Sequence, residues 1–146
     1  MRAIADQVHD FLWNHDMNCA QATLQVLSEK YSLNLSSQLL AAAMGLNGAG
    51  RSGAQCGLVE GALIFLGVFS ETRGWDRYRV SDLCGLYARE FIGNFGSMNC
   101  RDLRPQGFQD GQPPHMCEDL AVKTITFSCV FIDRFFKKRS EDDLSG

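Results

Sequence analysis

A glycine-rich stretch, residues 45–67, constrains the fold of this chain more than any other feature. It contains seven of the chain's 14 glycines and one cysteine, Cys56. The overlapping residues 54–69 are almost wholly apolar and carry a single charge, Glu60. An apolar run of this length with one charge is typical of a helix that is buried on most sides. We therefore predict a glycine-rich turn that leads into a buried central helix over about residues 54–69.

Three glycines of this stretch, Gly53, Gly57 and Gly61, recur every four residues and are predicted to share one face of the central helix. Each glycine lowers helix propensity by about 1 kcal/mol relative to alanine. A face made of glycines therefore indicates that another group comes very close to the helix backbone. Close packing of a second helix is the simpler interpretation, and a close-fitting ligand or cofactor is the functional one.

Glu60 is the single charge of the central helix, and it lies one helical turn beyond Cys56. At that spacing the two side chains are predicted to share one side of the helix. Glu60 would then act as a ligand or as the proton acceptor for a thiol. The alternative is an ion pair, for which Arg51, Arg89 and Arg101 are the candidates.

The rest of the chain predicts more helices and no convincing strand. Apolar residues recur at helical spacing in four segments, and a short helix follows Ser36 or Ser37. The four segments are residues 3–15, 18–31, 76–95 and 115–138. We predict an all-α fold, a single-domain bundle of five to six helices around the central helix, over residues 1–138. Residues 139–146 are predicted to form a disordered tail.

Composition and charge exclude several classes of function. The chain has 146 residues, of which 45% are hydrophobic and 21% charged, as in a soluble globular domain. The net charge is −3, so the composition does not indicate a basic surface that binds nucleic acid. No apolar run reaches the roughly 18 to 20 residues that a membrane span requires. Residues 1–20 lack the long apolar region of a signal peptide, so we expect a cytoplasmic protein.

The six cysteines separate into two groups. Cys84 and Cys129 fall in the middle of predicted helices, where a cysteine usually packs as a small hydrophobe. The other four fall at predicted helix starts: Cys19, Cys56, Cys100 and Cys117. Unpaired amides and the positive end of the helix dipole favour a thiolate there, so we expect lowered pKa values at these four thiols. No two cysteines have C-x-x-C spacing, which excludes a zinc ribbon and a thioredoxin-type motif.

Four stretches of the chain carry a resemblance to a known family. They are residues 17–22 (MNCAQA), residues 50–67 with CGLVEG inside them, residues 96–100 (GSMNC), and Cys117 at the start of an apolar helix. Together they resemble the C_GCAxxG_C_C family, whose members share a C…CGAxxG…C…C pattern over most of their length. Leu58 stands here in place of the alanine of that pattern.

The resemblance implies an all-helical domain with a redox or metal-cluster role. The family's four characteristic cysteines correspond to Cys19, Cys56, Cys100 and Cys117, the same four that fall at predicted helix starts. The resemblance therefore favours one site that contains all four sulfur atoms. It supplies a site rather than an established activity.

Three functions remain open at this point. The preferred one is a redox or metal-binding protein, an electron carrier or sensor, in which the four cysteines hold an Fe–S cluster or a zinc ion. The second keeps the same residues as catalytic dithiols that cycle through disulfides with an unknown redox partner. The third is a helical interaction module, or a homodimer, in which the cysteines are only packed. Residues 115–138, apolar on more than one face, favour the third.

Overall fold

The computed structural model describes residues 2–104, 107, 109 and 111–136. Within these residues the chain is helical and has no strand longer than an isolated bridge, which confirms the all-α prediction. The helices are α1 (Ile4–Asn14), α2 (Cys19–Lys30), α3 (Ser37–Ala42), α4 (Gly48–Arg51), α5 (Gly57–Thr72), α6 (Arg77–Phe95), α7 (Cys100–Leu103) and α8 (Glu118–Phe135). Two 3-10 turns, Ala43–Gly45 and Pro114–Cys117, complete them.

Helix α5 occupies the central position that was predicted for the apolar helix. This helix packs most extensively against α2 and also contacts α6 and α8. Its side chains Phe65 and Leu66 are at most 1% exposed. Each buried side chain of this size stabilises the fold by about 1.5–3 kcal/mol relative to an exposed one. The bundle is therefore assembled around α5.

The start of α5 differs from the prediction. The helix begins at Gly57 instead of residue 54, and Cys56 is its N-cap with an extended backbone (ψ 134°). Residues 54–56 are extended because they pair with a distant segment, through an antiparallel bridge between Gln55 and Asn99. At the other end, α5 continues to Thr72.

The glycine face of α5 is formed by Gly57 and Gly61, and α2 packs directly on it. A β-carbon at Gly57 would lie 2.9 Å from the backbone nitrogen of Ala20, and one at Gly61 would lie against the carbonyl oxygen of Ala20. Close helix packing is therefore the structural reason for these glycines. Gly53 was wrongly assigned to this face, because it precedes the helix and has a left-handed backbone (φ 80°).

The turn before α5 is left-handed. The four residues of α4 all have positive φ, and the amides of Arg51 and Ser52 donate to the carbonyl oxygens of Asn47 and Gly48. Glycine adopts this conformation freely, whereas Ala49 costs about 1–2 kcal/mol in it. The turn brings the backbone of Gly48 against Cys100, since a β-carbon there would lie 3.3 Å from the Cys100 Sγ.

Helix α8 buries one face against α1, α2 and α5. Phe127 packs on Phe91 and Phe95 of α6, whereas Val130 is 62% exposed and Phe135 is half-buried, so part of the surface of α8 is uncovered. The homodimer suggested by this excess of apolar residues stays a prediction. The predicted tail, residues 139–146, lies outside the described residues. None of the helices described here is long and apolar enough to cross a membrane.

Candidate functional site

Four cysteines from four separate parts of the chain line one cavity. They are Cys19, Cys56, Cys100 and Cys117, and their neighbours in the wall are Asn47, Leu58, Leu103, Arg104, Gln112, Pro114 and Leu120. The cavity measures about 20 Å³, which is room for one water-sized atom. Cys84 and Cys129 lie elsewhere, on α6 and α8, and all six cysteines are free thiols.

Cys19 is the first residue of α2, and the cap of that helix holds it in place. The Asn18 side chain accepts a hydrogen bond from the Gln21 amide (2.9 Å), and the Gln21 side chain accepts from the Asn18 amide (3.2 Å). This reciprocal capping box stabilises helix starts. The Asn18 Nδ2 also donates to the carbonyl oxygens of Ala43 (3.2 Å) and Met44 (2.8 Å). These bonds fix the N-terminus of α2 to the 3-10 turn Ala43–Gly45.

Cys56 and Cys100 are held by the bridge between Gln55 and Asn99. The Cys56 amide donates to the Met98 carbonyl (2.8 Å), and the Cys100 amide donates to the Ala54 carbonyl (2.7 Å). Residues two apart along an extended segment point to the same face, so Cys56 and Cys100 are diagonal neighbours on one face of the bridge. This pairing also supplies partners for amides that no helix satisfies.

Cys117 is the N-cap of α8 and the last residue of the preceding 3-10 turn. Contacts with α1 fix this junction. The Glu118 carboxylate binds the His9 ring (2.6 Å) and accepts from the Trp13 indole (3.2 Å), and the His115 ring stacks on Trp13 at 3.9 Å. His115 therefore packs on α1 and is not among the described residues of the cavity wall.

Each of the four cysteines lies at a helix start, as predicted, but the expected lowering of pKa is wrong where a shift is resolved. Burial raises the pKa of Cys56 to about 12, although the nearby amides of Leu58 and Val59 act the other way. Burial likewise raises the pKa of Cys19 and of Cys117. A buried thiolate loses its hydration, and at this site that loss outweighs the helix amides. These three thiols are therefore protonated at neutral pH.

The four thiols also interact electrostatically with one another. A thiolate at any one of the three partners raises the pKa of Cys19, and thiolates at Cys100 and Cys117 raise that of Cys56. Like charges in a site of low dielectric constant repel strongly, so a thiolate at one of these partners disfavours ionisation of Cys19 and of Cys56. The cavity behaves as one coupled group of sulfur atoms.

Arg104 is a site residue that the sequence reasoning missed. Among the described residues of the cavity wall it is the only charged side chain. Its Nε donates to the Cys100 Sγ at 3.3 Å, and its Nη1 donates to the Gln112 side chain at 2.8 Å. The available signal was the spacing: Arg104 follows Cys100 by four residues, which places the two on one side of a helical turn. The Cys117 thiol is also affected, since the Arg104 charge partly offsets the effect of burial on its pKa.

Glu60 lies outside the cavity wall. Its carboxylate is half-buried, and burial raises its pKa. No ion pair or hydrogen bond between described residues joins it to Arg51, Arg89 or Arg101. Leu58, in contrast, does line the cavity and is 1% exposed. The leucine that replaces the motif alanine thus fills space beside the four sulfur atoms.

The arrangement does not fit a metal centre. In the described part of the chain, no three or more His, Cys, Asp or Glu side chains are grouped closely enough to hold a metal ion. The four cysteines share a cavity, but their sulfur atoms do not form a ligand shell.

One family model matches this chain, over residues 17–129. The family is described as "Putative redox-active protein (C_GCAxxG_C_C)". The match spans more than half of the chain and contains all four cysteines of the cavity. No curated protein and no solved structure matches the chain.

Proposed function

The chain belongs to the C_GCAxxG_C_C family of putative redox-active proteins, and from that premise we propose that it is a thiol–disulfide redox protein. Its redox centre is the four-thiol cavity, formed by Cys19, Cys56, Cys100 and Cys117. One observation carries the proposal: four free thiols from distant segments line a cavity with room for a single atom. Such a cavity favours chemistry between the sulfur atoms themselves.

The electrostatics of the cavity support this reaction. Burial and mutual repulsion disfavour thiolates at Cys19, Cys56 and Cys117. Oxidation of two thiols to a disulfide removes two ionisable groups and leaves no charge on those two sulfur atoms. The buried site therefore accommodates both the reduced dithiol and the oxidised disulfide without a charge that lacks hydration.

The Fe–S cluster and the zinc ion predicted from the sequence remain predictions. The small cavity and the spacing of the ligands support the dithiol form over either of them. The same four residues would serve in each case, so substitution of the cysteines alone does not separate these functions. Metal content and disulfide content must be measured on the same sample.

The test is intact-mass analysis of anaerobically purified protein, before and after mild oxidation with diamide and with alkylation of the remaining thiols. We expect a loss of about two mass units per disulfide formed, reversible by reductant, and up to two disulfides. The variant C56S should lose at least one of them, whereas C84S should keep both. Four thiols that stay alkylatable after oxidation, or a metal bound in equimolar amount, would overturn the proposal.

A further inference from the structure

The cavity is asymmetric in charge. Three of its four cysteines have no charged side chain bonded to their sulfur atoms in the described part of the chain, whereas Cys100 accepts a hydrogen bond from Arg104. The Arg104 guanidinium is in turn oriented by Gln112. The left-handed turn also lies next to Cys100, since a β-carbon at Gly48 would be 3.3 Å from its Sγ. Cys100 is thus close to both the Gly48 backbone and the Arg104 cation.

We propose that Cys100 is the attacking thiol of this protein and that Arg104 is the residue that stabilises its thiolate. This inference rests on the proposed thiol–disulfide function and assigns roles within the same cavity. A hydrogen bond from a charged donor stabilises an anionic acceptor more strongly than one from a neutral donor. The thiolate is the nucleophile in disulfide exchange, so the cysteine next to the cation reacts first.

The substrate class that fits is a disulfide, on a peptide or a small molecule. The Cys100 thiolate attacks one sulfur of the substrate, the substrate S–S bond breaks, and a mixed disulfide forms. The departing thiolate takes up a proton equivalent to the one that Cys100 released. A second cavity thiol then loses its proton and attacks the Cys100 Sγ, which releases the other substrate sulfur as a thiol. Two protein thiols are oxidised, and the substrate disulfide is reduced by two electrons.

Arg104 acts in the first step of this scheme, where it stabilises the Cys100 thiolate before attack. The leaving group of the second step is the substrate sulfur. The position of Arg104 in the wall keeps its charge next to the cavity. Gln112 is a positioning residue, because it acts only through the guanidinium.

The test is alkylation of the reduced, full-length protein with substoichiometric iodoacetamide, followed by peptide mapping. This reagent is neutral, so loss of a cation does not change its attraction to the site. We expect Cys100 to be labelled first of the four, and R104Q to slow its labelling by about tenfold. Arg104→Lys should restore most of the rate. The matched control R101Q removes a charge from the neighbouring helix α7, at a side chain outside the cavity wall, and should leave the rate unchanged.

Regioselectivity separates this role from a structural one, because a loosened fold would speed labelling at every buried thiol. If R104Q fails to fold, Gln112→Ala and the order of labelling in the unmodified chain still test the assignment. The inference is overturned if another cavity cysteine is labelled first, or if R104Q keeps Cys100 labelling within about twofold. Disulfide formation in the intact-mass experiment would then still stand, so failure of the assignment is distinct from failure of the function.

Discussion

Gly57 leaves no space for a side chain beside Cys19. A β-carbon at Gly57 would lie against the Cys19 Sγ, 2.9 Å from the Ala20 amide nitrogen and 3.0 Å from the Leu46 carbonyl oxygen. The last two atoms belong to the backbone and do not move without shifting α2 or the turn. The absence of a side chain at Gly57 therefore allows Cys19 to lie close to the start of α5, where Cys56 is the N-cap.

We expect Gly57→Ala to destabilise the protein by about 2 kcal/mol or more, because the backbone overlap outweighs the better helix propensity of alanine. The measurement is urea unfolding. Gly67→Ala is the matched control, since it lies in the same helix and a β-carbon there meets nothing within 4 Å. It should stabilise by about 0.5–1 kcal/mol. Equal effects of the two substitutions would contradict the close packing of α2 on α5.

Asparagine and aspartate are both good helix caps, but at position 18 we expect them to differ in the stability they give the protein. Asn18→Asp keeps the acceptor for the Gln21 amide but loses the donors to Ala43 and Met44. We expect it to destabilise by about 1–3 kcal/mol, because a carboxylate then faces two carbonyl oxygens. Asp76→Asn is the control, since among the described residues the Asp76 side chain accepts a hydrogen bond only from the Arg79 amide, at an exposed cap. It should change the free energy of unfolding by less than about 0.5 kcal/mol.

The raised pKa of Cys56 predicts a loss of stability in alkali. The unfolded chain releases this proton near pH 9, and the folded protein holds it until about pH 12. Between those values the unfolded state binds fewer protons, so the free energy of unfolding falls as pH rises. The contribution is complete below pH 9 and amounts to at most about 4 kcal/mol. The Cys56→Ser variant should show a shallower decline, measured by urea unfolding from pH 8 to 11.

The control for these urea unfolding measurements is a variant that keeps every ionisable group of the chain. Val130→Ser alters an exposed position of α8 and adds no group that ionises in this range. It should keep the pH slope of the unmodified chain. If Cys56→Ser and Val130→Ser decline in parallel, the Cys56 thiol is not held protonated by the fold.

Leu58→Ala tests what fills the cavity. The side chain is 1% exposed and lines the wall, so its truncation should destabilise by about 2–4 kcal/mol and leave a larger space beside the sulfur atoms. We expect faster alkylation of the four cavity thiols by N-ethylmaleimide, with no change at Cys84. Leu63→Ala, on the same helix but half-buried and outside the wall, should not alter this selectivity. Uniform acceleration at all six thiols would indicate unfolding instead.

The helices and the set of four cysteines were accessible from the sequence because both depend on local signals. Asn18, Ser36 and Asp76 cap helices as their side-chain chemistry predicts. Apolar spacing identifies α5 as buried, and the starts of α2, α3 and α6 follow from these capping residues.

What the sequence did not reveal arises from contacts between distant residues. The start of α5 was placed three residues early because Gln55 pairs with Asn99, and no local pattern announces a pairing across 44 residues. The pKa of Cys56 was misjudged for a related reason. The helix amides are local, whereas burial comes from the assembled bundle and dominates. Arg104 was overlooked because its partner atom becomes apparent only when the cavity is formed.

The bridge between Gln55 and Asn99 has a thermodynamic consequence if Cys56 and Cys100 are oxidised together. A disulfide between Cys56 and Cys100 would lower the entropy of the unfolded chain, which raises its free energy by about 4 kcal/mol. The fold already brings the two segments together, so the folded state would contribute that free energy toward oxidation. It corresponds to about 85 mV in the reduction potential of a two-electron couple. Mutations far from the sulfur atoms that loosen the bundle would thus make the cysteines easier to reduce.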